Sequence, residues 1–144
     1  MSYSVDVNVL LYASDVGSPH HTRASAFLAA RPSDPELFCL AWPTVMAYLR
    51  IGTHPSIFAA PLTPAEALAN VRALLALPQV RPIGEVDGFL DVFSTVTSYA
   101  PARGNQVPDA HLAALLRQHD VTTIYTRDAD FRRFDFLTIR DPLE

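Results

Sequence analysis

The chain has 144 residues, 49% of them hydrophobic, one cysteine and a formal net charge of −4. That size suits a single domain spanning residues 1–144, and the apolar runs are too short to cross a membrane; without a charged-then-apolar leader, a soluble cytoplasmic protein is expected. All 11 basic residues are arginine, which excludes lysine-based phosphate loops, Schiff bases and phospho-aspartate chemistry, and the negative charge excludes holding nucleic acid by bulk positive potential.

In chain order, "MSYSVDVNVLLYA" opens with a strand over residues 3–7 that carries Asp6 among valines. An unpaired buried carboxylate costs several kcal/mol, roughly, so Asp6 must stand at the strand's end or have a cationic partner. "NVLLYASD" reads as a short helix leaving that strand. Ser18 and Pro19 predict an N-cap and first turn for a helix to about Ala30. "ELFCLA" is a second apolar strand with Cys39 inside it, a core thiol that fits a reducing compartment. "WPTVMAYLRIG" is a helix with apolar residues at helical spacing.

Thr63 and Glu66 predict a capping box at the start of "TPAEALANVRALLAL". "QVRPI" is a strand, "VDGFLDVFSTVTSYA" a helix, and "VPDAHLAALLRQH" a helix with Pro108 in its first turn. "VTTIY" and "LTIR" are the last two strands. Short apolar strands alternating with helices predict a mainly parallel sheet covered on both faces, a three-layer α/β/α sandwich.

In open parallel sheets ligands bind beyond the carboxyl ends of the strands. Asp6 ends the first strand, Asp128 follows "VTTIY", and Asp109 stands in the first turn of a helix that meets the same edge. Asp130 follows Asp128 at spacing two. Each has a structural explanation alone: the helix macrodipole favours Asp109, and "TRDADF" is compatible with an Asx turn. Together they would repel and raise one another's pKa, and a divalent cation relieves that repulsion. Oxygen-only ligands suit Mg²⁺ or Mn²⁺. Asn8 is placed to hold a water or orient a carboxylate.

"VDVNVLLYA", "GNQVPDAHLAAL" and "YTRDADFRRF" followed by "LTIRDPL" resemble, in that order, a PIN domain of the VapC-type toxin ribonucleases of bacterial toxin–antitoxin pairs. The intervening "WPTVMAYLRIGTHPSIFAAPLTPAEA" resembles one branch of them. The resemblance implies Mg²⁺- or Mn²⁺-dependent cleavage of RNA, homodimers, and inhibition by a cognate VapB-like antitoxin whose C-terminal segment covers the acidic edge. It assigns Asp6 and Asp109 to the metal, makes Asp128 the acid of a T-x-D motif, and gives Thr126 and Asn8 supporting roles. The sequence departs at the helix where such toxins usually carry a glutamate: Val45, Met46 and Ala47 stand there. That leaves three acids, or four with Asp130, and favours one ion over two.

His20 and His21 are adjacent on a helix and point about 100° apart, so they read as surface or partner-contact residues. His111 reads as packing or as a support behind the site's acids, and His54 as part of a turn. Arg103 and Arg127 flank the acids and suit substrate phosphates. Arg132 and Arg133 fit a solvated face or salt bridges to Asp135 and Asp141, and Arg50 could reach the acid edge. Phe27, Trp42, Tyr48, Phe89 and Phe93 have core-compatible spacing. A metal-dependent endoribonuclease is the expected function. The alternatives are a catalytically weakened PIN-like module that binds RNA or protein, and a receiver- or phosphatase-like domain using Asp6 as phospho-acceptor, which the absence of lysine disfavours.

Overall fold

A computed structural model describes all of residues 1–144. Its sheet is β1 (Ser2–Val5), β2 (Leu37–Ala41), β3 (Val80–Ile83), β4 (Thr123–Tyr125) and β5 (Thr138–Arg140). The strand order is β3-β2-β1-β4-β5 and every neighbouring pair is parallel. The helices are α1 (Val7–Ser14), α2 (His21–Ala29), α3 (Trp42–Gly52), α4 (Pro64–Leu75), α5 (Phe89–Tyr99) and α6 (Val107–Gln118).

Strand alternation gives the sheet two apolar faces and the molecule two cores. Tyr3 and Val5 of β1 pack with Phe38 and Leu40 of β2 under α1 to α4. Cys39, Ala41 and Ile124 face the other way, against α5 and α6. Strands buried on both sides cannot alternate apolar with polar, which is why they read as continuous apolar runs. On α6, Ala110, Ala113 and Ala114 are fully buried. Small side chains let this helix lie close to the sheet, and that brings its first turn to the carboxyl edge.

Local chemistry accounts for the element ends. The capping box is formed: Glu66 N–H donates to Thr63 Oγ1 at 3.1 Å and Thr63 N–H to Glu66 Oε1 at 3.0 Å. β1 stops at Val5, two residues early, because the Asp6 carbonyl already accepts from Val9 N–H. α2 begins at His21, since Ser18 forms a turn first, its hydroxyl accepting from His20 N–H. α5 starts only at Phe89 because Gly88 has φ +83°, a left-handed conformation that ends any helix approaching from before it.

Some core expectations are corrected. Phe27 and Tyr48 are buried and Phe89 and Phe93 partly so, but Trp42 is 42% exposed, with its ring close to Gly84 just after β3. Arg50 is exposed in the last turn of α3, a helix that starts at the sheet's carboxyl edge, so it stands at the end of that helix far from the edge. Arg31, unremarked in the sequence, is buried: it donates to the Phe27 carbonyl, the Tyr3 hydroxyl and Asp34.

Candidate active site

The strand order places β1 beside both β2 and β4, with the chain turning to opposite sides after it. This is a topological switch point, where the carboxyl ends of β1 and β4 leave a crevice. Asp6 follows β1 directly and Asp128 follows β4 by three residues. Their relation is set by ladder register: Val5 pairs with Tyr125, Asp6 N–H donates to the Tyr125 carbonyl at 3.0 Å, and Thr126 comes level with Asp6.

Thr126 is the hinge of the site. Its buried hydroxyl donates to Asp6 Oδ2 at 3.0 Å and accepts from Asp128 N–H at 2.9 Å. One oxygen thereby orients both acids. Asp128 Oδ1 in turn accepts from Asp130 N–H at 2.9 Å, closing an Asx turn, so "TRDADF" is both a structural turn and part of the acidic site. Oxygens of Asp109, Asp128 and Asp130 all lie within 4.8 Å of one another. Asp130 therefore stands in the tightest group, while Asp6 sits behind it, 8% exposed.

Asp6 has no cationic partner: the ion pairs of the molecule join Arg31 to Asp34, His111 to Glu85 and Arg127 to Asp141. Burial raises its pKa; the Thr126 hydroxyl and the N–H groups of Val7 and Asn8 pull it down, and Asp128 adds a smaller upward push. Asp109 is pushed up to about 6, first by burial and then by the charges of Asp128, Asp6 and Asp130, with Arg133 opposing. Four carboxylates thus share one electrostatic environment with an excess of negative charge. Three carboxylates whose oxygens gather within 4.8 Å of one another suit a hard divalent cation.

Asn8 is exposed on α1 and makes no side-chain hydrogen bond. Arg103 is exposed beside the short turn leading into α6, and Arg127 is exposed next to Asp128. The salt bridges considered for Arg132 and Arg133 are not formed. Asp141 pairs instead with Arg127, and Arg133 donates to the Pro101 carbonyl, which holds its guanidinium near Asp109. Sequence reading missed Arg133 because its neighbour in space comes from the end of α5. His111 packs edge-on against Phe89 and pairs with Glu85 at 2.5 Å, outside the acidic group. No acid comes from α3: Val45 is in the core and Met46 is exposed.

Comparison with known proteins gives the same architecture. The PIN domain family matches residues 3–137. The chain is 43% identical over 142 residues to ribonuclease VapC48 of Mycobacterium tuberculosis, covering 99% of this chain and 98% of that one. It is 34% identical over 131 residues to ribonuclease VapC37 of the same species, covering 91% and 90%. Among solved structures, VapBC2 from Rickettsia felis bound to a promoter DNA fragment superposes with TM-score 0.69 at 13% identity, over 98% of both chains. VapC20 of M. tuberculosis, a sarcin–ricin-loop-cleaving toxin, gives TM-score 0.65 at 16% identity, over 90% and 92%. With the parallel sheet, the acids at its switch point and full-length relatives in hand, the chain belongs to the PIN-domain family, within its VapC group.

Proposed function

We propose that this chain is an endoribonuclease toxin of the VapC type that hydrolyses RNA phosphodiester bonds with Mg²⁺ or Mn²⁺. The observation that carries the reading is the convergence of Asp109, Asp128 and Asp130 oxygens within 4.8 Å at the switch point of a PIN fold. Asp109 and Asp128 would hold the ion, with buried Asp6 and exposed Asp130 as supporting carboxylates. When bound, the cation polarises the phosphodiester and makes water a better nucleophile at neutral pH. Thr126 keeps Asp6 and Asp128 aimed, and Asn8 orients water or carboxylate at the mouth. Arg103 and Arg127 receive RNA phosphates on either side. One ion is favoured, because α3 offers no fourth wall of charge.

The relatives' names support the reaction, and neighbours solved as VapBC complexes support a VapB-like antitoxin as partner. An apolar groove lined by Leu10, Leu28, Leu40, Leu74 and Leu77 gives such a partner a surface to bury. A homodimer acting in the cytoplasm completes the proposal; no helix is long and apolar enough to cross a membrane. The test is Mn²⁺-dependent RNA cleavage by Asp6→Asn and Asp109→Asn. Both are expected to lose it, and wild-type activity in both would end the assignment. The missing α3 acid favours one rival, a weakened module that binds RNA without cutting it. Calorimetry separates them: saturable Mn²⁺ binding that depends on Asp109 supports the enzyme.

A further inference from the structure

Arg127 follows Thr126 and precedes Asp128, so four carboxylates lie close by, yet its ion pair is with none of them. Its Nε is 3.3 Å from Asp141 Oδ2, and its Nη1 lies 3.2 Å from Nε2 and 3.5 Å from Nδ1 of His20. A nitrogen nearly equidistant from both ring nitrogens sits over the imidazole face, because in the ring plane it would collide with Cε1. Both supports are themselves fixed. The His20 ring packs at a tilt against Tyr12 with centroids 4.9 Å apart, and the His20 backbone N–H donates to Ser18 Oγ at 3.1 Å. Asp141 uses its other oxygen to accept from Leu143 N–H at 2.8 Å, and Arg23 clamps the Leu143 carbonyl at 2.9 Å.

An arginine free to move beside such a cluster would fold onto it and occupy the place of a cation. Here the turn before α2 and the C-terminal tail together pull it outward, and the side chain remains 44% exposed with donors to spare. We propose that His20 and Asp141 are positioning residues that hold Arg127 away from the carboxylates as a fork for the phosphate next to the cleaved RNA bond. This rests on the ribonuclease reading and adds His20, Tyr12 and Asp141 to it. A fork carried by a guanidinium binds phosphate through paired N–H groups, and holding Nη1 over a ring and Nε at a carboxylate fixes the direction in which the remaining N–H groups point. The ring nitrogens themselves are dispensable in this arrangement; the face is what matters.

The experiment measures fluorescence anisotropy of a short fluorescein-labelled single-stranded RNA of randomised sequence, with Asp109→Asn as the parent so that nothing is cleaved. Arg127→Gln is expected to weaken binding about tenfold and to reduce the salt dependence by about one ion. Arg127→Lys should restore the salt dependence and not the affinity, since a lysine keeps the charge and loses the fork. His20→Ala and Asp141→Asn should each weaken binding several-fold, and His20→Phe should return it to within about twofold of the parent. A purely structural Arg127–Asp141 bridge would lower the thermal midpoint and leave RNA affinity unchanged. Affinity within about twofold of the parent in Arg127→Gln, or His20→Phe as weak as His20→Ala, would overturn the proposal. Mn²⁺-dependent cleavage by the unmutated chain is scored separately: its absence sinks the ribonuclease reading, whereas unchanged affinity in Arg127→Gln sinks only this subsite.

Discussion

Thr126 has a single hydroxyl and two obligations, and both end at acids. Replacing it with valine keeps the shape and removes the donor to Asp6 and the acceptor for Asp128 N–H. Leaving buried Asp6 and the half-buried Asp128 N–H without these partners is expected to cost about 1–3 kcal/mol. The acids would also lose their aim, so Mn²⁺ affinity measured by calorimetry should fall about 10- to 100-fold. Asp109 makes the opposite kind of prediction. The folded chain keeps its proton up to about pH 6, whereas the ordinary carboxyl value is 3.8. Between those values the native state binds more protons than the unfolded one, so stability falls as pH rises through that window and the penalty is complete above about pH 6. At full strength the shift is worth about 3 kcal/mol; with the carboxyl partly facing solvent, it is on the order of 1 kcal/mol. Metal-free Asp109→Asn should therefore melt a few degrees higher than wild type at pH 7 and show little difference at pH 4, by calorimetry or circular dichroism. A lower midpoint at pH 7 would contradict the charge crowding described for the site.

At the scale of elements, each helix touching the site has a separate reason to start where it does. Pro108 lies in the first turn of α6, where its missing N–H costs nothing, and buried alanines set the depth of that helix. α4 lies apart from the acids and starts at its capping box. Thr63→Ala should lower stability by about 1 kcal/mol in urea melts while leaving RNA cleavage at wild-type level. This control separates loss of fold from loss of site. The sequence made both helix starts legible because they are local chemistry, decided within four residues. It misjudged the beginnings of α2 and α5 for a similar reason: Ser18 closes a turn before the helix, and Gly88 takes a left-handed conformation, choices that side-chain type permits without requiring. Trp42 was misplaced for a tertiary reason, since helical spacing does not tell which side of α3 the sheet will cover.

For the whole molecule, adding Mn²⁺ should raise the midpoint of unfolding by mass action. At roughly 100 times the dissociation constant the gain is about 2.7 kcal/mol, or roughly 5–10 °C for a chain of this size, and Asp109→Asn should abolish it. The sequence by itself determined the alternation of strands and helices, the two-faced sheet and the candidate acids Asp6, Asp109 and Asp128, because periodicity, caps and residue chemistry are properties of short stretches. Only the tertiary structure decided how those acids stand. It set exposed Asp130 in the closest-spaced group and buried Asp6 beside it, tied two of the acids through Thr126, placed Arg133 near Asp109, and turned Arg127 toward Asp141 and His20. These contacts join residues up to 120 positions apart, and they follow from strand order and register, which arise only when the whole sheet is assembled.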